Sequence, residues 1–296
     1  MTLNRRAGAV AAAALIAAVV SACGGSSSGD STAPAGSVPS QPANALHVTI
    51  GDGSLQVEGT PRPGRIDITV VNQSSESAEF SFQPLKAGVT VSQVETALRR
   101  HGEAAANKLL SGDSDRAGYG EPAIVAPGDT EESVTTTVVP TGDYVAGSFL
   151  PSGEGGPQAT HGVLSGFTIA GATYTAVPGD VAGTIELSDH SITLPPGFTG
   201  AGTYAVADSG KRRHSLSFGL LKKGTTLMAM FQCVGSSFGQ NRTIDHCPGK
   251  LVGGIDSIKP GGTAYVTMQL AVGRYGYLST DGNDVRAGLM GTVTVS

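Results

Sequence analysis

The sequence predicts an all-β chain of two tandem β-sandwich domains, each carrying an inserted helical or loop segment. Three observations predict it. Its 296 residues include 43 glycines and no tryptophan, and Thr, Val and Ser are abundant, which favours short strands joined by many turns. Short runs alternate apolar with polar at period two, as half-buried strands do, in Arg65-Ile66-Asp67-Ile68-Thr69-Val70 and Ala264-Tyr265-Val266-Thr267-Met268-Gln269-Leu270. Finally, the chain repeats itself.

The repeat is ungapped at first. Ile68-Thr69-Val70, Ser77 to Phe82 and Pro84 to Thr90 answer Tyr204-Ala205-Val206, Arg213 to Phe218 and Leu220 to Thr226, at a constant offset of 136. Pro127-Gly128 then answers Pro260-Gly261, Gly142-Asp143-Tyr144 answers Gly273-Arg274-Tyr275, and 166–169 answers the strand ending at Val295. Four landmarks in one order predict two copies of one fold, at 45–171 and 180–296, joined by 171–180, a short segment able to hinge. Between the early and late strands lies an insertion. In the first copy, Thr90 with Gln93, or Ser92 with Glu95, can form a capping box, and Val91, Val94 and Leu98 line one helical face. Gly102 should break or bend that helix. In the second copy a cysteine-bounded loop, 233–254, takes the same place.

Ahead of the repeats, Arg5-Arg6 precede 14 apolar residues, 7–20, and the small pair Ser21-Ala22 precedes Cys23. A basic start, a short apolar run and small residues at the cut predict an export signal over 1–22, too short to span a bilayer. Val20-Ser21-Ala22-Cys23 resembles a bacterial lipobox. The resemblance implies diacylglycerol on the Cys23 thiol, acylation of the new amino group, and a place at the outer face of the cell membrane. Residues 23–44 would be the lipidated cysteine and a disordered Gly/Ser/Pro linker spanning roughly 25 Å. Losing 1–22 removes two arginines and no acids, so the formal charge moves from −5 to −7. With a pI near 5.6, this excludes nucleic acid as the expected partner and leaves membrane attachment to the acyl chains.

Cys233 and Cys247 remain once Cys23 is given to lipid. In an oxidising compartment two cysteines pair, and the closed loop of about 15 residues contributes on the order of 3 kcal/mol in the chain-entropy model. The alternative is a metal held by Cys233, His246 and Cys247, in which adjacent His-Cys fits a tetrahedral site awkwardly and no fourth ligand is evident.

Within each copy the order is a strand ending near a histidine position, an insertion, a Pro-Gly strand, then Gly-x-Tyr followed by a late strand. This resembles the cupredoxins, a family of Greek-key sandwiches, over most of both copies. The resemblance implies two cupredoxin-like domains, and in the family a His, a Cys, a second His and a Met hold copper. Those positions here read His214, Ser279, Asp284 and Leu289 in the second copy, with Ala78 and Ser148 in the first, where His161 lies near the second histidine position. Neither copy has a cysteine where the thiolate must come from, so the fold carries over without the type 1 copper ligands.

The functional expectation is a lipid-anchored, extracytoplasmic, non-enzymatic binding or scaffold protein of the cell envelope, without a cofactor, meeting an envelope protein or small ligand. Its contact surface would be the loops at the former copper end or the insertions at 91–119 and 233–254. One alternative is copper handling through a non-thiolate site at His214 and Asp284, or at His161. Another is a serine hydrolase, because Gly235-Ser236-Ser237-Phe238-Gly239 matches G-x-S-x-G. That motif needs a strand before it and a helix after it, and it falls inside the expected disulfide loop. Asp281-Gly282-Asn283-Asp284 is read as a turn, and Lys211-Arg212-Arg213 as a solvated hairpin tip.

Overall fold

The computed structural model describes residues 44–111, 118–280 and 282–296. The expected signal, Cys23 and the linker up to residue 43 lie outside the described residues, as does Asp281. The first copy comprises β1 (Ala45–Gly51), β2 (Ser54–Glu58), β3 (Asp67–Asn72), β4 (Ala78–Glu79), β5 (Ser81–Pro84), α1 (Val91–His101), α2 (Glu103–Asn107), β6 (Ile124–Val125), β7 (Thr130–Val134), β8 (Gly142–Gly147) and β9 (Leu164–Ile169). The second comprises β10 (Gly183–Ser188), β11 (Ser191–Thr193), β12 (Ala201–Asp208), β13 (His214–Leu221), α3 (Leu227–Gln240), β14 (Gly249–Ile258), β15 (Thr263–Gln269), β16 (Gly273–Leu278), α4 (Gly282–Ala287) and β17 (Met290–Val295).

Each copy is a two-layer, all-β sandwich, as expected. In the first layer β2-β1-β3-β7 matches β11-β10-β12-β15, with the β1–β3 and β10–β12 pairs parallel. In the second layer β14-β13-β16-β17 forms one sheet, and its counterpart is split into β5-β8-β9 and the β4–β6 pair. Alternation explains the burial: Leu46, Val48 and Ile50 of β1 point inward, as do Ile68 and Val70 of β3. One core gathers residues between Leu46 and Ile169, a second residues between Ile185 and Val295. Equivalent phenylalanines centre them. Phe82 packs on Phe80, Tyr119, Tyr144 and Phe167, and Phe218 on Phe198 and Tyr277. Tyr144 Oη donates to Pro140 O and Tyr275 Oη to Ala271 O, the same four-residue return in both copies.

The two copies share both layers. β7 pairs with β3 on one side and with β15 on the other, in the register Tyr265↔Val134 and Thr267↔Glu132, so the first layers merge into one eight-stranded sheet. Across the second layers, residues 119–123 run along β14, with Gly120 N–H donating to Ser257 O at 2.8 Å and Asp256 N–H to Glu121 O at 2.8 Å. Gly120 has φ 84°, and a Cβ there would come within 2.4 Å of Ala264 Cβ, so only glycine fits this approach. Arg65, 8 % exposed, donates to Thr135 O and Thr263 O and lies over the Tyr265 ring, clamping the seam.

Four local expectations change. The stretch 233–254, expected as a cysteine-bounded loop, begins inside the helix α3 (Leu227–Gln240) and ends in β14; α3 is capped by Thr226 Oγ1 accepting from Ala229 N–H. Thr226 stands 136 residues after Thr90, which caps α1 with the full Thr90–Gln93 box. The insertions are therefore equivalent helices, and Gly102 ends α1 as expected. Residues 282–287, expected to begin as a turn, form α4. The segment expected to hinge is pinned: Arg65 N–H donates to Tyr174 O, Tyr174 N–H to Pro63 O, and the Arg62 guanidinium covers the Tyr174 ring. Asn44, last residue of the expected linker, is 3 % exposed, and its side chain bonds Arg62 and Arg65.

Candidate functional site

The end of the second copy where the family resemblance places a metal site is a closed hydrogen-bond network. His214 begins β13, Ser279 follows β16 and Asp284 lies in α4; all three are buried. His214 Nδ1 lies 2.8 Å from Asp284 Oδ2, and its Nε2 lies 3.3 Å from Asp189 Oδ1. Ser279 Oγ donates to the same Asp284 oxygen at 2.7 Å and accepts the Ser215 N–H. Arg212 Nη2 approaches Asp284 Oδ1 to 2.9 Å as an ion pair. The Lys211 N–H, followed by His214, holds the Asp189 carboxyl below the usual range. Both imidazole nitrogens thus face carboxylates, and serine stands where a thiolate would be. This donor set does not fit a type 1 copper ion. Ser148 of the first copy keeps the same role, its Oγ accepting the Glu79 N–H.

The structure brings His214 and Asp284 together, and leaves His161 elsewhere. His161 lies in the first copy, with Nε2 2.6 Å from Gly155 O and Nδ1 3.1 Å from Glu154. Arg212, expected at a solvated tip, is half exposed and turned toward Asp284 and Asp189. The disulfide Cys233–Cys247 is formed. Ser236 and Ser237 sit mid-helix in α3, and each hydroxyl donates back to Cys233 O, at 2.8 and 2.9 Å. The G-x-S-x-G segment therefore makes no strand-to-helix elbow.

A site that the motifs did not single out lies under α3, where the two copies meet. A cavity of about 260 Å³ is roofed by Leu227, Met230, Phe231, Val234 and Phe238 of the helix. Ser217 and Gly219 of β13, Gly276 and Leu278 of β16 and Leu251 of β14 form its floor; Ala123, Ile124 and Leu150 of the first copy close one side. The helix can sit this low because two paired glycines lie beneath it. A Cβ on Gly276 would fall 2.4 Å from Leu227 Cδ1, and one on Gly219 2.5 Å from Met230 Cε. Phe238, 44 % exposed, marks where the cavity reaches solvent.

Register sorts its walls. Gly219 pairs with Gly276 and Leu251, whereas Asp256 and Thr280 lie toward the His214 end of β13. One end is thus apolar and the other carries a carboxyl and a hydroxyl, and Glu79 of β4 adds a second carboxyl to the lining. Next to Asp256, outside the cavity lining, Glu121 is 1 % exposed, and neither carboxyl oxygen has a hydrogen-bond partner among the described residues. Burial, followed by the Asp256 charge, pushes Glu121 up to about 8; nearby backbone N–H groups offset only part of this. The sequence signal for the cavity was an apolar stripe at 227, 230, 231, 234 and 238 behind a threonine cap.

No protein-family model and no curated protein matches the chain. Among solved structures, a multicopper oxidase is similar at 13% identity, over 85% of this chain and 88% of its own, with a TM-score of 0.23. A dithionite-reduced auracyanin from Roseiflexus castenholzii is similar at 17% identity, over 40% of this chain and 99% of its own, at 0.27. A copper nitrite reductase from Nitrosomonas europaea is similar at 11% identity, over 85% and 93%, at 0.23. The expectation that the chain is not an enzyme is corrected here, because two of these proteins are enzymes. Likeness at these scores assigns no activity in its place.

Proposed function

We propose that this chain is a membrane-tethered binding protein of the cell envelope that holds a small amphipathic molecule in the cavity under α3. Export and the lipid on Cys23 rest on the N-terminal pattern. The observation that carries the binding reading is the cavity itself. It is concave, walled mainly by apolar and aromatic groups, and polar at one end, as small-molecule sites are. A ligand with an apolar body would displace water from the α3 end, while a head that donates hydrogen bonds would meet Glu79, Asp256 and Thr280.

The test uses N-phenyl-1-naphthylamine, a neutral apolar fluorophore. Its emission should rise on binding the wild-type protein and stay low with Val234→Phe, which fills the cavity from the helix side, while the variant's melting point and far-ultraviolet circular dichroism stay near wild type. Equal dye binding by both proteins would reject the cavity as the site. The tether is tested separately. Cys23→Ala should move the protein from the membrane to the soluble fraction, and retention in the membrane would refute lipid anchoring.

A further inference from the structure

A second constellation joins the middle of α3 to the turn that follows it, and none of its three residues lines the cavity. Cys233, His246 and Cys247 place two sulfurs and an imidazole nitrogen within 4.8 Å of one another. His246 Nδ1 lies 2.7 Å from Thr243 O, so that nitrogen carries the proton and donates it to the carbonyl. Its Nε2 is left with a lone pair, and it points at Cys233 Sγ from 3.6 Å. A backbone carbonyl fixing one ring nitrogen so that the other faces a ligand position is how metal-binding histidines are oriented. The exposed imidazole leaves the open side of the cluster toward solvent.

The scaffold around these atoms does not depend on the S–S bond alone. Asn241 ends α3 in the left-handed conformation, and Arg242 N–H donates to Ser237 O at 3.0 Å. Ile244 is buried, and Cys247 N–H donates to Ile244 O at 3.0 Å. Asp245 accepts from both the N–H and the hydroxyl of Ser77 in the first copy. The turn bearing His246 and Cys247 is therefore held at both ends, and the adjacency of these two residues is no obstacle to convergence.

We infer that Cys233, Cys247 and His246 form a redox-gated site for a thiophilic cation. A dithiol reductant breaks the S–S bond by placing two electrons and two protons on the sulfurs, and is itself oxidised to a disulfide. The cation then displaces both thiol protons and takes two thiolates and Nε2, with solvent at any fourth position. A disulfide oxidant, taking two electrons from the thiolates and two protons from solvent and leaving as a dithiol, releases the cation and restores the bridge. This set is separate from the His214–Asp284 network, which offers no sulfur.

The experiment titrates Zn(II) against a chromophoric chelator, with the protein oxidised or reduced by a trialkylphosphine under argon. The reduced protein should take one equivalent from the chelator and the oxidised protein none. His246→Ala, which keeps the disulfide and so the oxidised fold, should weaken binding by the reduced protein roughly tenfold or more. Circular dichroism of the reduced protein should retain the α3 signal. Equal uptake by oxidised and reduced protein, no uptake by reduced protein, or undiminished uptake by His246→Ala would each overturn the assignment.

Discussion

At the residue scale, the least ordinary group is Glu121. Its carboxyl is enclosed at the seam between the copies beside Asp256, and burial lifts it from an ordinary 4.5 to about 8. A raised carboxyl favours the folded state when protonated. That stability is fully present below the unfolded value near 4.5 and is lost as pH rises through about 8. Melting temperature should therefore fall between pH 5 and pH 8. Glu121→Gln should flatten this fall and melt several degrees above wild type at pH 8, and an unchanged slope in thermal scans would reject the assignment. Nothing in the sequence marks this residue, because Glu121 stands between Gly120 and Pro122 in what reads as an exposed loop. Its burial comes from β14, more than a hundred residues away, and such partners are invisible to local pattern. Cys233 and Cys247 are the opposite case: with Cys23 set aside, counting alone joins them. His214 and Asp284 were legible by position in a known pattern, but their enclosure by Ser279, Arg212 and Asp189 required coordinates.

At the element scale, α1 was readable because Thr90 and Gln93 are separated as a capping box requires and Val94 and Leu98 follow at helical spacing. At Thr226 half of that signal is present: Leu227, Met230, Phe231 and Val234 follow at helical spacing, but Ala229 stands where a capping box needs Glu or Gln. The cysteine pair at 233 and 247 led instead to the expectation of a loop. A disulfide bond and a helix are compatible when only one cysteine is helical, and here Cys247 sits on the return. The cap is a test of how much α3 depends on its own start. Thr226→Ala removes the acceptor for the Ala229 N–H and should cost about 1 kcal/mol, lowering the melting point by roughly 2–4 °C. Because the helix roofs the cavity, dye affinity should fall with it, and an unaltered melting curve would show that packing on Gly219 and Gly276 alone holds the helix.

At the scale of the whole molecule, the all-β class, the doubled plan and the insertion point were legible, since composition, period-two runs and a 136-residue offset are properties of the chain itself. How the copies join was not. β7 and β15 read as ordinary half-buried strands, and no periodicity distinguishes a strand that pairs within its own copy from one that also pairs across. The apolar site followed from that join, because its walls come from both copies.

The merged sheet has a consequence for modularity. β7 and β15 would each be a raw border of backbone donors and acceptors if the halves were cut apart, and such borders recruit other chains into aggregates. Each half is the other's hem. Neither is suited to be spliced, swapped or expressed alone, and gene-level shuffling of a single copy would release a sticky fragment instead of a working unit.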